Sequence, residues 1–256
     1  MTLQLLPTDF DALLVEALRA FWAGRSGGPA GSQAGGRGRV IAGQNLDGFF
    51  AVVEAVARHC GLPDGVVRTR KGAVTLPGYF RASKNWDVLI VHDGRLLAAV
   101  ELKSQVGSLG NNFNNRAEEA LGSATDFVVA QSEGAFRARG PTDGPLLLAE
   151  PALNPALSTG GLPPFLGWVM LLEDSEAAWA PVRVDSPHFP ARAEFVGASY
   201  AERYRILCTR LMERRLYTAA ALVLTPEGGA SQRALSPETS LRSFFRQLAG
   251  YLAARA

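Results

Sequence analysis

The stretch from Trp86 to Lys103 constrains this chain most. Two apolar runs, Val88-Leu89-Ile90-Val91 and Leu96-Leu97-Ala98-Ala99-Val100, flank the turn pair Asp93-Gly94. Apolar strands separated by such a dipeptide read as a β-hairpin. On the second strand, the two-residue side-chain period puts Glu101 and Lys103 on the face of Leu97 and Ala99. An acid and a base therefore stand side by side near the end of a strand whose apolar residues demand a core. Register decides whether Asp87 joins them. A strict two-residue turn sets Asp87 opposite Val100, with its carboxylate on the wrong face. A three-residue loop through Arg95, or a single bulge, sets it opposite Glu101 instead.

Two carboxylates converging beside a lysine in a partly buried cleft repel each other unless a divalent cation stands between them. Oxygen donors without a histidine or thiol cluster favour Mg2+, with Mn2+ a substitute, and the backbone carbonyl of Leu102 supplies another oxygen. Lys103 would orient an attacking water and stabilise developing hydroxide character, which makes phosphodiester hydrolysis the expected chemistry. All basic residues but Lys71, Lys84 and Lys103 are arginine, and those three lie close together. A compact, movable ammonium beside a reacting water is one reason for a position to refuse arginine. The acid-x-Lys triplet alone is equally compatible with a surface ion pair on a sheet.

The flanks supply helices. Asp9 to Trp22 and Asn45 to His59 carry apolar residues at helical spacing, and Ser199-Tyr200-Ala201-Glu202 has the form of a capping box before a helix bearing Tyr204, Leu207, Leu211 and Met212. A last helix is expected from Ser236-Pro237 to about Ala254. Asn115 to Gly122 reads as a short helix, Asp126 to Ala130 as a parallel strand and Phe165 to Glu173 as a core strand, while 216–224 fits helix or strand. Residues 24–38 form a glycine-rich segment expected to be a flexible loop, and Pro141 to Pro164 a long irregular excursion. The reading is an α/β fold, a central mixed β-sheet flanked by helices, within a single domain spanning 1–256.

Three strings then carry a resemblance. Leu76-Pro77-Gly78-Tyr79-Phe80-Arg81-Ala82-Ser83-Lys84-Asn85-Trp86-Asp87, Ala99-Val100-Glu101-Leu102-Lys103-Ser104-Gln105-Val106-Gly107 and Gly110-Asn111-Asn112-Phe113-Asn114-Asn115-Arg116-Ala117-Glu118-Glu119-Ala120 resemble, in order and spacing, the XhoI family of type II restriction endonucleases. The resemblance implies a restriction-endonuclease-like PD-(D/E)xK core, metal-binding Asp87 and Glu101, and catalytic Lys103. It also implies a homodimer with one active site per strand, acting on double-stranded DNA at the palindrome CTCGAG, cutting after the first C and leaving 5′-phosphates. A cognate DNA methyltransferase is expected in the same system, without a stable complex. Trp86 stands where the generic core motif has proline, a departure that packing of the indole in its place would accommodate. Nucleases of this class, the resemblance suggests, carry a helix carboxylate facing the metal, which nominates Glu54 as a further metal or water ligand.

Contacts with DNA are expected from two clusters. Gln105, Asn111, Asn112, Asn114, Asn115 and Arg116 follow the catalytic strand, and amides and guanidinium groups read base edges or phosphates. Arg68, Arg70, Lys71, Arg81 and Lys84 form the strongest local basic patch and are expected on phosphates. Tyr79, Phe80 and Trp86 read as packing residues. The formal charge of the whole chain is only +2, so any polyanion must be met locally. Neither Cys60 and Cys208 nor the three histidines show metal-ligand spacing. No signal peptide or membrane-length apolar run is visible, so a cytoplasmic protein without a membrane partner is expected. The competing readings are a structure-specific repair or recombination nuclease and a non-catalytic DNA-binding protein.

Overall fold

The computed structural model describes residues 4–26, 46–136, 163–229 and 231–256. Residues 27–38 of the glycine-rich segment and 141–162 of the proline-rich excursion lie outside them. In chain order come α1 (Phe10–Ser26), α2 (Gly48–His59), β1 (Val67–Arg68), β2 (Thr75–Pro77), β3 (Ser83–Asn85), β4 (Val88–His92), β5 (Arg95–Gln105), α3 (Leu109–Ser132), β6 (Phe165–Glu173), α4 (Glu176–Trp179), α5 (Tyr200–Glu213), β7 (Ala219–Thr225) and α6 (Leu241–Ala253).

Five strands form one sheet in the order β1-β4-β5-β6-β7, and β2 and β3 form a separate ribbon. The pairs β1/β4 and β4/β5 are antiparallel, whereas β5/β6 and β6/β7 are parallel. Parallel neighbours need crossovers, and α3 supplies the first, α4 and α5 the second. The buried strands β6 and β7, Phe-Leu-Gly-Trp-Val-Met-Leu-Leu-Glu and Ala-Ala-Ala-Leu-Val-Leu-Thr, are nearly continuous apolar runs because both sheet faces are covered.

One face is covered by α1, α2 and α6, whose Phe10, Phe21, Phe49, Val56, Phe244 and Leu248 pack on Val88, Ile90, Ala98, Val100 and Val169. The other is covered by α3 and α5, whose Ala124, Phe127, Tyr204 and Leu211 meet Leu89, Ala99, Trp168, Met170 and Leu222. Each fully buried side chain of this kind contributes roughly 1.5–3 kcal/mol relative to exposure. The capping box forms as expected: Ser199 N donates to Glu202 Oε2 at 2.7 Å, and Glu202 N donates to Ser199 Oγ at 3.3 Å.

The expected α/β fold with a mixed sheet and flanking helices is present, and 219–225 is strand. Several elements differ: α3 runs from Leu109 to Ser132 where a short helix from Asn115 to Gly122 is expected, and α2 begins at Gly48 rather than Asn45. Helix α1 runs on to Ser26 instead of stopping at Gly24. Helix α6 starts at Leu241, capped by the Ser240 hydroxyl, rather than at Ser236. Asp126 to Ala130 is the continuation of α3, not a strand. Asp126, Phe127 and Ala130 face inward while Val128 is 44% exposed, the mark of a helix with one face on the sheet. Among the described residues, no helix is long and apolar enough to cross a membrane.

Candidate active site

The β4–β5 hairpin closes with Asp93 and Gly94 both at positive φ, 48° and 70°, a two-residue turn in which glycine takes the second position without steric cost. His92 pairs with Arg95 and Val91 with Leu96, after which the register shifts so that Ile90 pairs with Ala98, Leu89 with Ala99 and Val88 with Val100. Leu97 is the extra residue. The bulge alternative is therefore the one the chain adopts, and extending the pairing by one residue puts Asp87 opposite Glu101.

Asp87 sits just before β4. Its Oδ2 accepts a hydrogen bond from the Leu102 N–H at 2.7 Å. Because N–H and C=O of one strand residue face the same neighbour, the Leu102 carbonyl is directed to the same edge. Glu101 is buried, at 4% exposure. Its Oε1 accepts from Lys103 Nζ at 2.6 Å and from Lys84 Nζ at 3.0 Å. Its Oε2 is buried with no hydrogen-bond partner among the described residues.

Electrostatics follow from that packing. Burial would raise the Glu101 carboxyl, but the Lys103 and Lys84 ammonium groups outweigh it and hold the group below the usual range. Burial would likewise lower Lys103, and the neighbouring Glu101 and Asp87 charges more than reverse it. Asp87 goes the other way: burial pushes it up, and the pull of Lys103 and of the Leu102 N–H does not fully compensate. The pocket thus holds a firmly ionised glutamate, a firmly protonated lysine and an aspartate that resists ionisation. An orphaned carboxylate oxygen beside a second, desolvated carboxylate is a donor set suited to a hard divalent cation. Asp87, Glu101 and the Leu102 carbonyl are the groups that would hold it.

Helix α3 completes the walls. The charge of Glu119 favours the protonated form of Lys103, and Arg116 pairs with Glu119 at 2.6 Å while its buried Nε has no hydrogen-bond partner among the described residues. Glu119 carries no role in the sequence reading; the signal available was its (i, i+3) spacing from Arg116. Tyr217, whose hydroxyl donates to Ala120 O at 3.1 Å, lies close enough to Glu101 for that charge to raise its pKa further, beyond the rise that burial causes.

The other nominated residues divide. Lys84, expected on phosphate, is drawn inward to Glu101 and lies over the Trp86 ring at 4.7 Å. Trp86 is buried and meets Phe127 edge-on at 5.4 Å, in keeping with its packing role. Gln105 is also buried: its amide donates to Ser108 O at 3.3 Å and its oxygen accepts from the Tyr204 hydroxyl, so both ends are engaged within the protein. Arg81 is tied to Asp126 at 2.9 Å. Arg68, Arg70 and Lys71 are exposed along β1 and the turn after it. Asn112, Asn114, Asn115 and Arg116 belong to the first turns of α3, with Asn112 donating to Ser108 O at 2.9 Å; Asn111 is described only as a position on that helix. Glu54 is not brought to the carboxylates. It is exposed on α2 and lines a separate pocket with Arg58, Asp64 and Val67. Among the described residues, no three His, Cys, Asp or Glu side chains converge.

Comparison with known proteins adds an independent line. The family described as Restriction endonuclease XhoI matches residues 25–236. The chain is 44% identical over 210 residues to the type II restriction enzyme XhoI of Xanthomonas vasicola, covering 80% of this chain and 76% of that one. It is 40% identical over 209 residues to the type II restriction enzyme BstVI of Geobacillus stearothermophilus, covering 79% and 83%. It is 39% identical over 188 residues to the type II restriction enzyme AbrI of Azospirillum brasilense, covering 71% and 74%. No solved structure matches.

Proposed function

The chain belongs to the XhoI family of type II restriction endonucleases, a membership that implies DNA cleavage, and from that premise we propose a Mg2+-dependent nuclease for double-stranded CTCGAG. In this reading it cuts after the first C of each strand and leaves 5′-phosphates. The observation that supports it most is the bulge-set meeting of Asp87 with Glu101 and Lys103, in which Glu101 Oε2 is buried without a hydrogen-bond partner among the described residues.

Asp87, Glu101 and the Leu102 carbonyl are the proposed cation ligands, and the bound Mg2+ would supply positive charge to the phosphate oxygens. Lys103 spends one ammonium donor on Glu101 Oε1 and keeps others for water or a phosphate oxygen. Water adds to phosphorus and gives up a proton to solvent, the P–O3′ bond breaks, the departing 3′ oxygen takes up a proton to become a 3′-hydroxyl, and the phosphate stays on the 5′ oxygen of the downstream nucleotide. Lys103 offsets the negative charge that builds during this step, while the buried walls of the pocket keep that attraction from being screened. Glu54 has no part in this mechanism.

A two-fold homodimer places one such site on each strand of a palindrome. A methyltransferase for the same word would protect the host's own DNA. The test is digestion of a plasmid bearing one CTCGAG site, with and without Mg2+, beside the same plasmid lacking the site. Linear product only with both site and cation is expected. Protein that is folded and dimeric yet leaves the site-bearing plasmid intact refutes the specificity.

A further inference from the structure

Two aromatic rings stand in water at the tip of the β2–β3 ribbon. Tyr79 is 54% and Phe80 67% exposed, and the rings meet edge-on at 4.9 Å. Burying rings of this size is favourable, and these two leave half or more of their surface in water. Their exposure is imposed rather than slack. Asp126, only 3% exposed, accepts from the Tyr79 N–H at 2.9 Å and the Phe80 N–H at 2.7 Å, and pairs with Arg81 Nε at 2.9 Å. Arg81 also donates to Gly122 O at 3.2 Å. One buried carboxylate thus knots the tip to α3 and holds both rings outward.

The segment that carries the ribbon selects its partner. Between Asp64 and Asp87 the chain carries no acidic residue, and while Arg81 and Lys84 are paired to Asp126 and Glu101, Arg68, Arg70 and Lys71 before the ribbon are exposed cations. A two-fold contact between copies of this chain would set that positive segment against itself. A polyanion complements it. The second strand of the ribbon also connects the tip to the catalytic pocket, because Lys84 on β3 donates to Glu101. From Phe80 to Lys84 the extended chain spans at most about 13 Å, comparable to the width of a DNA groove.

We infer that Tyr79 and Phe80 form an apolar anchor that enters a groove of the duplex and packs against base edges beside the scissile phosphate. The inference rests on the nuclease reading and adds to it a contact that phosphate-binding cations cannot supply. Apolar side chains inserted at base steps add affinity through shape and deformability, with no ion released.

That last property gives the test. Binding of a fluorescent CTCGAG duplex is titrated by anisotropy in Ca2+ at several salt concentrations, for the wild-type chain, for a Tyr79→Ser/Phe80→Ser double variant and for Arg70→Ala/Lys71→Ala. The aromatic double variant should bind at least tenfold more weakly at every salt concentration with an unchanged salt slope. Loss of the two cations should flatten the slope. Thermal melting followed by circular dichroism checks that both variants fold, and Phe80→Leu, which keeps apolar area, should retain more affinity than Phe80→Ser. Affinity within twofold of wild type in the double variant overturns the inference. So does dissociation of a dimer on gel filtration, which would make the tip a subunit contact. A wild-type chain that binds no duplex defeats the nuclease reading itself, an outcome separate from a loss confined to the variant.

Discussion

Leu102 donates its backbone N–H to Asp87 Oδ2 at 2.7 Å, so the residue between the acid and the lysine of β5 fixes the carboxylate arriving from β4. This bond exists only because Leu97 bulges from the hairpin and shifts the register by one. Without the shift, Asp87 would face Val100 and project toward the opposite core. A single unpaired residue remote from the carboxylates thus decides whether the two acids share a pocket.

Lys103→Ala should uncouple binding from cleavage. The substitution removes the donor beside Glu101 Oε1 and leaves Lys84 as that carboxylate's partner, so the pocket keeps one compensating charge. Single-turnover cleavage should fall by about 10²–10³-fold, the range expected for removing a donor that stabilises transition-state charge. Duplex affinity measured in Ca2+ should stay within a few-fold of wild type. Cleavage at the wild-type rate would remove Lys103 from the mechanism.

Asp87→Asn should leave the cation-free fold at least as stable as wild type while ending cleavage. Burial raises the Asp87 carboxyl above its ordinary value, so ionising it costs more in the folded state than in the unfolded chain. That penalty acts above the folded pKa and is relieved as pH falls through it. Asparagine is neutral and can still accept from Leu102 N–H. Melting in EDTA at neutral pH should therefore show a Tm equal to or above wild type, and added Mg2+ should raise Tm for the wild type alone. A lowered Tm in EDTA would show that the attraction of Lys103 outweighs desolvation.

Much of this pocket could be read in advance, and the remainder could not for identifiable reasons. Glu101 and Lys103 share a strand face by periodicity, and Asp93-Gly94 marks the turn, but a bulge has no local signature, so both registers stayed open. The Lys84–Glu101 bond is not visible in the sequence because the two residues lie on different strands, and a basic run says nothing about which way each side chain turns. Asp126 to Ala130 looked like a strand because Phe-Val-Val-Ala is a short apolar run, which periodicity cannot distinguish from a helix segment half-covered by sheet. Tyr79 and Phe80 looked like core because ring size argues for burial, whereas the Asp126 carboxylate that holds them outward is far away in sequence.

Glu101→Gln should destabilise the cation-free protein in a pH-dependent way. The glutamate compensates both Lys84 and Lys103, and removing it leaves two ammonium groups adjacent and largely buried. A loss of about 3 kcal/mol at neutral pH is expected for removing one partner of a buried ion pair. Because the folded pKa is depressed, the contribution of Glu101 is complete above the ordinary glutamate range of about 4.3 and disappears as pH falls through the folded value. Urea midpoints of wild type and variant in EDTA should differ at neutral pH and converge on acidification. A constant gap across that range would assign the loss to shape rather than charge.

Gly78→Ala should loosen the aromatic tip without reaching the sheet. A Cβ at this position would stand 2.6 Å from both Arg81 O and Asp126 Oδ2 and 2.7 Å from Arg81 Cγ, all far inside contact distance. Relief requires the tip to lift from Asp126, which releases the Tyr79 and Phe80 N–H groups to water and separates Arg81 from its carboxylate. Overpacking of this kind costs about 1–3 kcal/mol, here confined to a ribbon built of two short strands. Chymotrypsin should cut after Tyr79 or Phe80 markedly faster in the variant, with the melting of the whole domain little changed. Asp126→Asn, which keeps an acceptor for both N–H groups and loses only the Arg81 charge pair, should give an intermediate rate. Wild-type cleavage kinetics in Gly78→Ala would mean that the Asp126 knot is not what holds the rings in place.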